Sequence, residues 1–337
     1  MTKIVIVGGA GFVGHHLALA LGQDVTCIDS LTVNNLFSLL VPGSKSPPHH
    51  VTMARERLDL LEQAGIPIIV EDARDYHRLS HAIAPINPDI IVHLAAVAHI
   101  DRANKDPWST FDNSLRTLEN SLDVARAVGA GFVYFSSSTV YGNFSQPVIN
   151  EDELLTPIGI YGNLKLAGER MCIAYHQSYG MPLVIVRPQA LYGSRCVSGR
   201  VTQLFIERAI EGKPITIHGD GTDELDFTYI SDLIQGMRLI LDNFPDGMRI
   251  YNLTGESASS LGFLAHIVTK RFPTEIRYDP LDPEKPARGT MSCERIRTDL
   301  GYEPRVGIQA GMNLYMDAYN AISDPKNGPV LGLRGAS

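Results

Sequence analysis

Lys3-Ile-Val-Ile-Val7 is a continuous β-branched run. Gly8-Gly-Ala-Gly11-Phe-Val-Gly14 follows at once, and residues 15–21 then carry a helical pattern. A run without polar alternation belongs to a strand buried on both faces, as in a parallel sheet. Glycines at the turn from such a strand into a helix let backbone N–H groups and the helix N-terminus approach a pyrophosphate. The spacing is G-x-x-G-x-x-G. A plain structural turn is the competing reading, and the strand–turn–helix setting weighs against it. Gly8, Gly11 and Gly14, with Phe12 and Val13 between them, are therefore expected at a dinucleotide. A second strand, residues 25–29, ends on Asp29, about 20 residues after the first glycine. A carboxylate there accepts hydrogen bonds from the adenosine ribose and repels a 2′-phosphate, which selects NAD over NADP.

Further strands are expected over residues 66–70, 89–96, 131–136 and 183–187. Helices are expected over 53–63, 76–83, 106–128 and from Thr156-Pro157, read as N-cap and N1, to Tyr179-Gly180. This alternation predicts an α/β fold, a doubly wound parallel sheet. Ligands bind such sheets at the carboxyl ends of the strands, where Gly8, Asp29, Asp72, Ala95, Ser137 and Arg187 all fall. Residues 31–66 form a long connection whose 42–50 piece reads as a surface loop. Beyond Arg187 the pattern loosens. Helices are expected at 201–211, 231–244, 260–271 and 308–322, and strands at 215–217, 225–230 and 250–253. An extended proline-rich piece spans 280–286, and a frayed tail begins at 323. The expected division is a dinucleotide-binding domain over 1–187 and a smaller mixed α/β substrate subdomain over 188–337, with 225–254 returning to the first domain.

A net charge of −8 argues against nucleic acid as the main partner and offers nothing to anionic membranes. An anionic small molecule needs only a local cluster of arginines. No apolar run reaches the roughly 20 residues of a membrane span. Met1-Thr-Lys leads straight into a strand, so neither a span nor a cleavable signal is expected, and the cytoplasm is the expected location. Cys27, Cys172, Cys196 and Cys293 are scattered without C-x-x-C and read as reduced structural thiols. No metal site is expected. His15-His16 and His49-His50 are adjacent pairs, whose side chains should point in different directions, and His93 and His99 lack a spaced partner.

Tyr161 and Lys165 lie four apart and so share one helix face. An ammonium beside a phenol favours the phenolate, moving a group that titrates near ~10 toward working pH. Most Y-x-x-x-K pairs are a half-buried tyrosine and a solvated lysine; a dinucleotide loop in the same chain shifts the balance. Ser136, Ser137, Ser138 and Thr139, at the end of an apolar run, offer hydroxyls to hold a substrate oxygen.

The glycine loop, Asp29, His93-Leu-Ala-Ala96, Ser136–Gly142 and Tyr161–Lys165, in this order and spacing, resemble the extended short-chain dehydrogenase/reductases. The nearer match is their nucleotide-sugar epimerase/dehydratase branch, typified by UDP-galactose 4-epimerase. The likeness runs from Lys3 to about Pro304. It implies tightly held NAD, Tyr161 as base, Lys165 on the nicotinamide ribose and Ser137 on the sugar oxygen. It places Asp72 and Ala73 at the adenine, Leu94, Ala95 and Ala96 near the pyrophosphate and ribose, and Pro188 among the cofactor contacts. It implies a homodimer through paired helices and a nucleotide-sugar substrate, with C4 inversion of a UDP-hexose or UDP-hexuronic acid through a 4-keto sugar. Dehydratases of the branch carry Asp-Glu where Ser138 and Thr139 stand, so elimination lacks its base here and these hydroxyls are expected at the substrate. Glu151 and Asp152 read as loop charges. Ala190 and Leu225 replace an asparagine and an arginine that bind the diphosphate, leaving Arg195, Arg200 and Arg288 as candidates for that task. The alternatives are a dehydratase, decarboxylase or net oxidoreductase of the same family, and a scaffold on the same fold.

Overall fold

The computed structural model describes residues 2–32, 36–41, 43–98, 100–280 and 286–323. His99, Pro42, most of the proline-rich 280–286 piece and the tail beyond Ser323 lie outside the described residues. Seven strands make the central sheet: β1 (Ile4–Val7), β2 (Val25–Ile28), β3 (Ile68–Ile69), β4 (Ile90–His93), β5 (Gly131–Phe135), β6 (Leu183–Arg187) and β7 (Met248–Asn252). Their order is β7-β6-β5-β4-β1-β2-β3, and every pairing is parallel. The doubly wound expectation holds. The chain winds outward from β1 through β2 and β3, then returns to lay β4 on β1's other side. The crevice at that reversal, at the carboxyl ends of β1 and β4, is where such sheets bind ligands.

The side-chain period of two splits the core into two layers. Ile4, Ile6, Val92, Val133 and Val184 face Leu17 of α1 (Phe12–Leu21) and Leu233 and Met237. Val5, Val7, Ile91, Phe132 and Ile185 face the opposite layer, which contains Leu118 and Leu122. The β1–α1 turn is tight. A Cβ on Gly14 would lie 2.5 Å from the Gly8 carbonyl oxygen, and Gly8 holds φ +92°, which disfavours side chains.

Several boundaries depart from expectation. The helix after residue 47 starts at Pro48, so α2 (Pro48–Gln63) includes His49 and His50 in its first turn. The 106–128 stretch is not one α-helix. Asp106 caps a short helix by accepting from the Ser109 N–H at 3.0 Å, and a π-turn over Asp112–Arg116 intervenes before α3 (Thr117–Val128). Asn113 and Thr117 side chains bond to carbonyls one turn back, competing for the acceptors of the regular ladder. The Thr156 hydroxyl donates to the Tyr141 carbonyl at 2.9 Å rather than capping, and α4 (Gly159–Tyr179) starts three residues later; Gly180 ends it in the left-handed conformation as expected.

Beyond β6, α5 (Val201–Ile210) and short ladders form the second region. Ile215–His218 pairs with Ile276–Asp279, and Glu224–Asp226 pairs with Ala258–Ser260. The expected 225–230 strand is thus broken, its second half (Thr228–Tyr229) pairing with Leu191–Tyr192. α6 (Ile230–Asp242) returns to pack on α1, and β7 closes the sheet beside β6. α7 (Ile308–Ser323) is the last described helix.

Candidate active site

A cavity of about 610 Å³ separates the sheet's carboxyl edge from the second region. Gly8, Gly11, Phe12, Val13, Gly14, Leu94, Ala96 and Pro188 line it from the sheet side, with Ser137, Ser138, Thr139, Tyr161 and Lys165. A smaller cavity beside it is lined by Asp29, Asp72, Ala73, Leu94, Ala95 and Ala96, and shares Gly8 and Gly11 with the first. Asp29 is built into the glycine turn: it accepts from the Ala10 N–H at 3.0 Å and the Leu31 N–H at 2.8 Å. Burial raises its carboxyl, and these two donors oppose the rise. Asp72 is held below its ordinary range by hydrogen bonds from Arg74, with which it pairs at 2.6 Å. Asn120 donates to the Ala73 carbonyl at 2.9 Å and fixes the floor of that cavity.

Ser137 leaves β5 and its Oγ accepts from the Thr139 N–H at 3.2 Å, opening a 3₁₀ turn over Ser138–Tyr141. Tyr161 sits in the first turn of α4, with Lys165 one turn on. The phenol lies beside the Ser137 side chain and is deeply enclosed, although its ring keeps some exposure to the cavity. Burial raises its pKa; the leading counterweights are the Arg200 charge, the Ser137 hydroxyl and the Arg288 charge. Lys165, expected to favour the phenolate, is not among these counterweights. The Lys165 Nζ is turned onto the Phe135 carbonyl at 2.7 Å, and burial pulls its own pKa down to about 8.

Of the three candidate arginines, Arg200 and Arg288 line the cavity. Arg195 does not. Its Nε donates to His15 Nε2 at 3.0 Å, its Nη2 lies 3.4 Å from His16 Nδ1, and its carbonyl accepts from Arg57 Nε at 2.9 Å. It ties the 193–200 loop to the back of α1 rather than meeting ligand. Leu225 and Ala190 line the cavity without donors, and Ala190 holds φ 41° in the left-handed region. Thr139 Oγ1, Gln189 Oε1 and Arg288 Nε are buried at the cavity with no hydrogen-bond partner, which marks a place for polar ligand atoms. Glu151 and Asp152 lie in a turn as expected, but Glu151 is buried there and accepts from the Asn252 N–H at 2.8 Å, while Asp152 pairs with Arg295 at 2.7 Å.

Residues 4–254 match the profile of the NAD dependent epimerase/dehydratase family. The chain belongs to that family. It is an extended short-chain dehydrogenase/reductase, and NAD is the cofactor that goes with the family. An uncharacterized UDP-glucose epimerase of Bacillus subtilis (strain 168) is 32% identical over 321 residues, 92% of this chain and 95% of the relative. A dTDP-glucose 4,6-dehydratase of Haemophilus influenzae is 26% identical over 342 residues, 93% of this chain and 96% of its own. A UDP-glucuronic acid 4-epimerase from Bacillus cereus, solved with UDP-glucuronic acid and NAD, is 27% identical with a TM-score of 0.83, covering 95% of this chain and 100% of that one. Epimerases and dehydratases both stand among the relatives of this epimerase/dehydratase family member. Among the described residues no helix is long and apolar enough to cross a membrane.

The site fits the dinucleotide on its own evidence: the turn leaves no room for a Cβ at Gly8 or Gly14, and Asp29 faces the smaller cavity. Sequence reasoning missed Arg208, Thr216, His218, Asp223 and Asp279, which line the cavity from the second region. Only Arg208 carried a signal, lying on α5 about two helical turns beyond its N-cap residue Arg200. The others depend on how distant ladders pack. Beneath the site, Glu169 of α4 accepts from both Arg187 Nε (2.9 Å) and Arg187 Nη2 (2.7 Å), and from the Ser136 hydroxyl (2.5 Å). Arg187 also donates to Tyr141 Oη, which donates to Asn252 Oδ1. That network joins the ends of β5, β6 and β7 to α4.

Proposed function

We propose that the protein is a NAD-dependent nucleotide-sugar epimerase that inverts C4 of a UDP-hexose or UDP-hexuronic acid through a transient 4-keto sugar. The observation that carries this reading is the Ser137–Tyr161 pair at the cavity with hydroxyls, not carboxylates, at positions 138 and 139. Gly8, Gly11, Phe12, Val13 and Gly14 would hold the pyrophosphate of NAD, Asp29 the adenosine ribose, and Asp72 and Ala73 the adenine. Leu94, Ala95, Ala96, Tyr161, Lys165 and Pro188 would frame the rest of the cofactor. NAD, when bound, supplies a reversible hydride acceptor. The Tyr161 phenolate takes the proton of the sugar C4 hydroxyl and later returns it; the Arg200 and Arg288 charges favour that anion and offset part of the burial that disfavours it. Ser137 Oγ holds the C4 oxygen as hydroxyl and as ketone. Arg200 and Arg288 also offer the charge that a diphosphate or a sugar carboxylate needs, in place of the donors lost at Ala190 and Leu225.

Elimination of water across C5–C6 would need a general base beside the catalytic hydroxyl, and Ser138 and Thr139 do not provide one. We also infer a homodimer, supported by Trp108 (77% exposed), Phe111 and Tyr179, large apolar side chains left on the surface near α4. The test is NMR of the purified protein with UDP-, GDP-, CDP- and dTDP-sugars. Interconversion of C4 epimers without accumulation of NADH supports the reading. A 4-keto-6-deoxy sugar, loss of CO₂ or net NADH formation would replace it with the corresponding alternative.

A further inference from the structure

Away from the cavity, two adjacent histidines and a glutamate converge where sequence reasoning saw none. His49 and His50 occupy the first turn of α2, and Glu207 lies on α5. The imidazole rings stand almost perpendicular with centroids 4.5 Å apart, yet both direct Nε2 at the same atom. His49 Nε2 is 3.2 Å and His50 Nε2 2.7 Å from Glu207 Oε1. Adjacent residues on a regular helix would diverge; these do not, because their rings turn about each other at the helix start. The three ligating atoms lie within 4.8 Å of one another.

Glu207 Oε1 also accepts from Gln203 Nε2 at 2.9 Å and from Tyr319 Oη of α7 at 2.7 Å, so four donors crowd one oxygen. His50 Nε2 is in addition 3.0 Å from Gln203 Nε2. The Gly199 N–H, 2.8 Å from Gln203 Oε1, fixes that amide's orientation, so its nitrogen is what faces the imidazole. With a proton on Nε2, His50 donates to Glu207 beside the Gln203 amide. Without one, the imidazole and carboxylate lone pairs face the same point, which a cation between them would occupy.

We propose that His49, His50 and Glu207 bind one borderline divalent cation of the zinc class. Two neutral imidazoles and a carboxylate form a donor set suited to such an ion, with bonds near about 2.0–2.2 Å and ligand atoms about 3.3 Å apart. The 3.2 Å His49 contact already has that spacing, and the His50 contact needs an opening of about half an ångström. The side chains keep 23%, 21% and 14% of their exposure, so an ion can enter from solvent. The ion would clasp α2 to α5, with α7 alongside through Tyr319. α5 also carries Leu204, Phe205 and Arg208 into the cavity, so the clasp would stiffen that wall without touching substrate.

The test titrates Zn²⁺ alone into the chelator-treated full chain by calorimetry, and Co²⁺ by visible absorption. The expected result is one equivalent per chain, a raised melting temperature in Zn²⁺, and a Co²⁺ spectrum of a four-coordinate nitrogen/oxygen site. His50→Ala and Glu207→Ala should each weaken binding at least about tenfold and remove the thermal shift, whereas His77→Ala, exposed on another helix, should change neither. Should His50→Ala not fold, His50→Gln keeps a donor toward Glu207 while removing the imidazole lone pair, and it too should lose the ion. Binding well below one equivalent in the wild-type chain, or one equivalent with unchanged affinity in the folded His50 and Glu207 variants, overturns the proposal and leaves a hydrogen-bonded hub.

Discussion

Glu169→Ala should cost far more stability than an ordinary substitution on a helix. Its carboxylate is 1% exposed and its partner Arg187 3% exposed, with a fork of two hydrogen bonds between them. Truncation leaves a guanidinium buried without its counter-charge, which costs about 3–5 kcal/mol. The Ser136 hydroxyl loses its acceptor at the same time, within the range of about 1–3 kcal/mol for an unsatisfied buried group. These terms overlap, so the combined loss should fall near about 4–5 kcal/mol, a large share of the ~5–15 kcal/mol that holds a typical domain together. Replacing both partners should be cheaper than replacing one: Glu169→Leu with Arg187→Met removes both charges together. Arg187 also donates to Tyr141 Oη and the Glu151 carbonyl, so recovery will be incomplete, at roughly half or more of the single-variant loss. Urea unfolding followed by far-UV circular dichroism measures all three proteins. A single variant within about 1 kcal/mol of wild type, or a double variant no better than the single, would refute the assignment of this pair as an uncompensated buried charge once broken.

In the cofactor-free protein Lys165 is a cation whose folded pKa is depressed to about 8 by burial. The unfolded chain therefore holds the extra proton between about pH 8 and 10.5, and this group's contribution to stability rises with pH across that window by up to about 3 kcal/mol. The buried thiols of Cys27, Cys172 and Cys293 and the buried phenols of Tyr134 and Tyr141, all raised by burial, lower the stability of wild type and Lys165→Met alike as pH rises past about 9. The readout is therefore the difference between the two proteins: urea midpoints from pH 7 to 10.5 should move in favour of wild type relative to Lys165→Met as pH rises, and a constant difference would refute the assignment. Ala190→Asn should raise the melting temperature by the equivalent of about 0.5–1 kcal/mol, because asparagine tolerates the left-handed backbone that alanine holds there at φ 41°; a lowered melting temperature would show that the cavity wall has no room for the amide. Trp108→Glu should shift the chain from dimer to monomer in sedimentation, and a monomeric wild type or an unshifted variant would remove this face from the interface.

What the linear order of residues revealed was local. The β1 run, the glycine turn and Asp29 lie within the first 29 residues, and each is specified by its neighbours in the chain. Tyr161 and Lys165 are one helical turn apart, so their shared face follows from spacing alone. What escaped depends on distant segments meeting. Arg195 carries the right charge for a phosphate, but α1 presents two imidazole acceptors behind it and the side chain turns there. His218 and Asp279 reach the cavity only because two short strands pair side by side. Lys165 was expected to act on the phenol; which carbonyl its ammonium would find depended on where β5 ended relative to α4. Thr156 had the chemistry of a cap but was claimed by the Tyr141 carbonyl. Helix geometry argues against a shared site for His49 and His50, but it says nothing about where two rings can swing at a helix start.

The central claim is that the Tyr161 phenol moves the proton of a sugar hydroxyl beside bound NAD. Tyr161→Phe keeps the ring and removes only that oxygen, so the fold and the dinucleotide turn stay intact. Turnover of the best sugar nucleotide, followed by NMR, should fall about 10²–10⁴-fold, while mass spectrometry of the denatured variant still finds NAD at the wild-type ratio. Epimerisation by Tyr161→Phe at the wild-type rate, with NAD bound, would contradict the account.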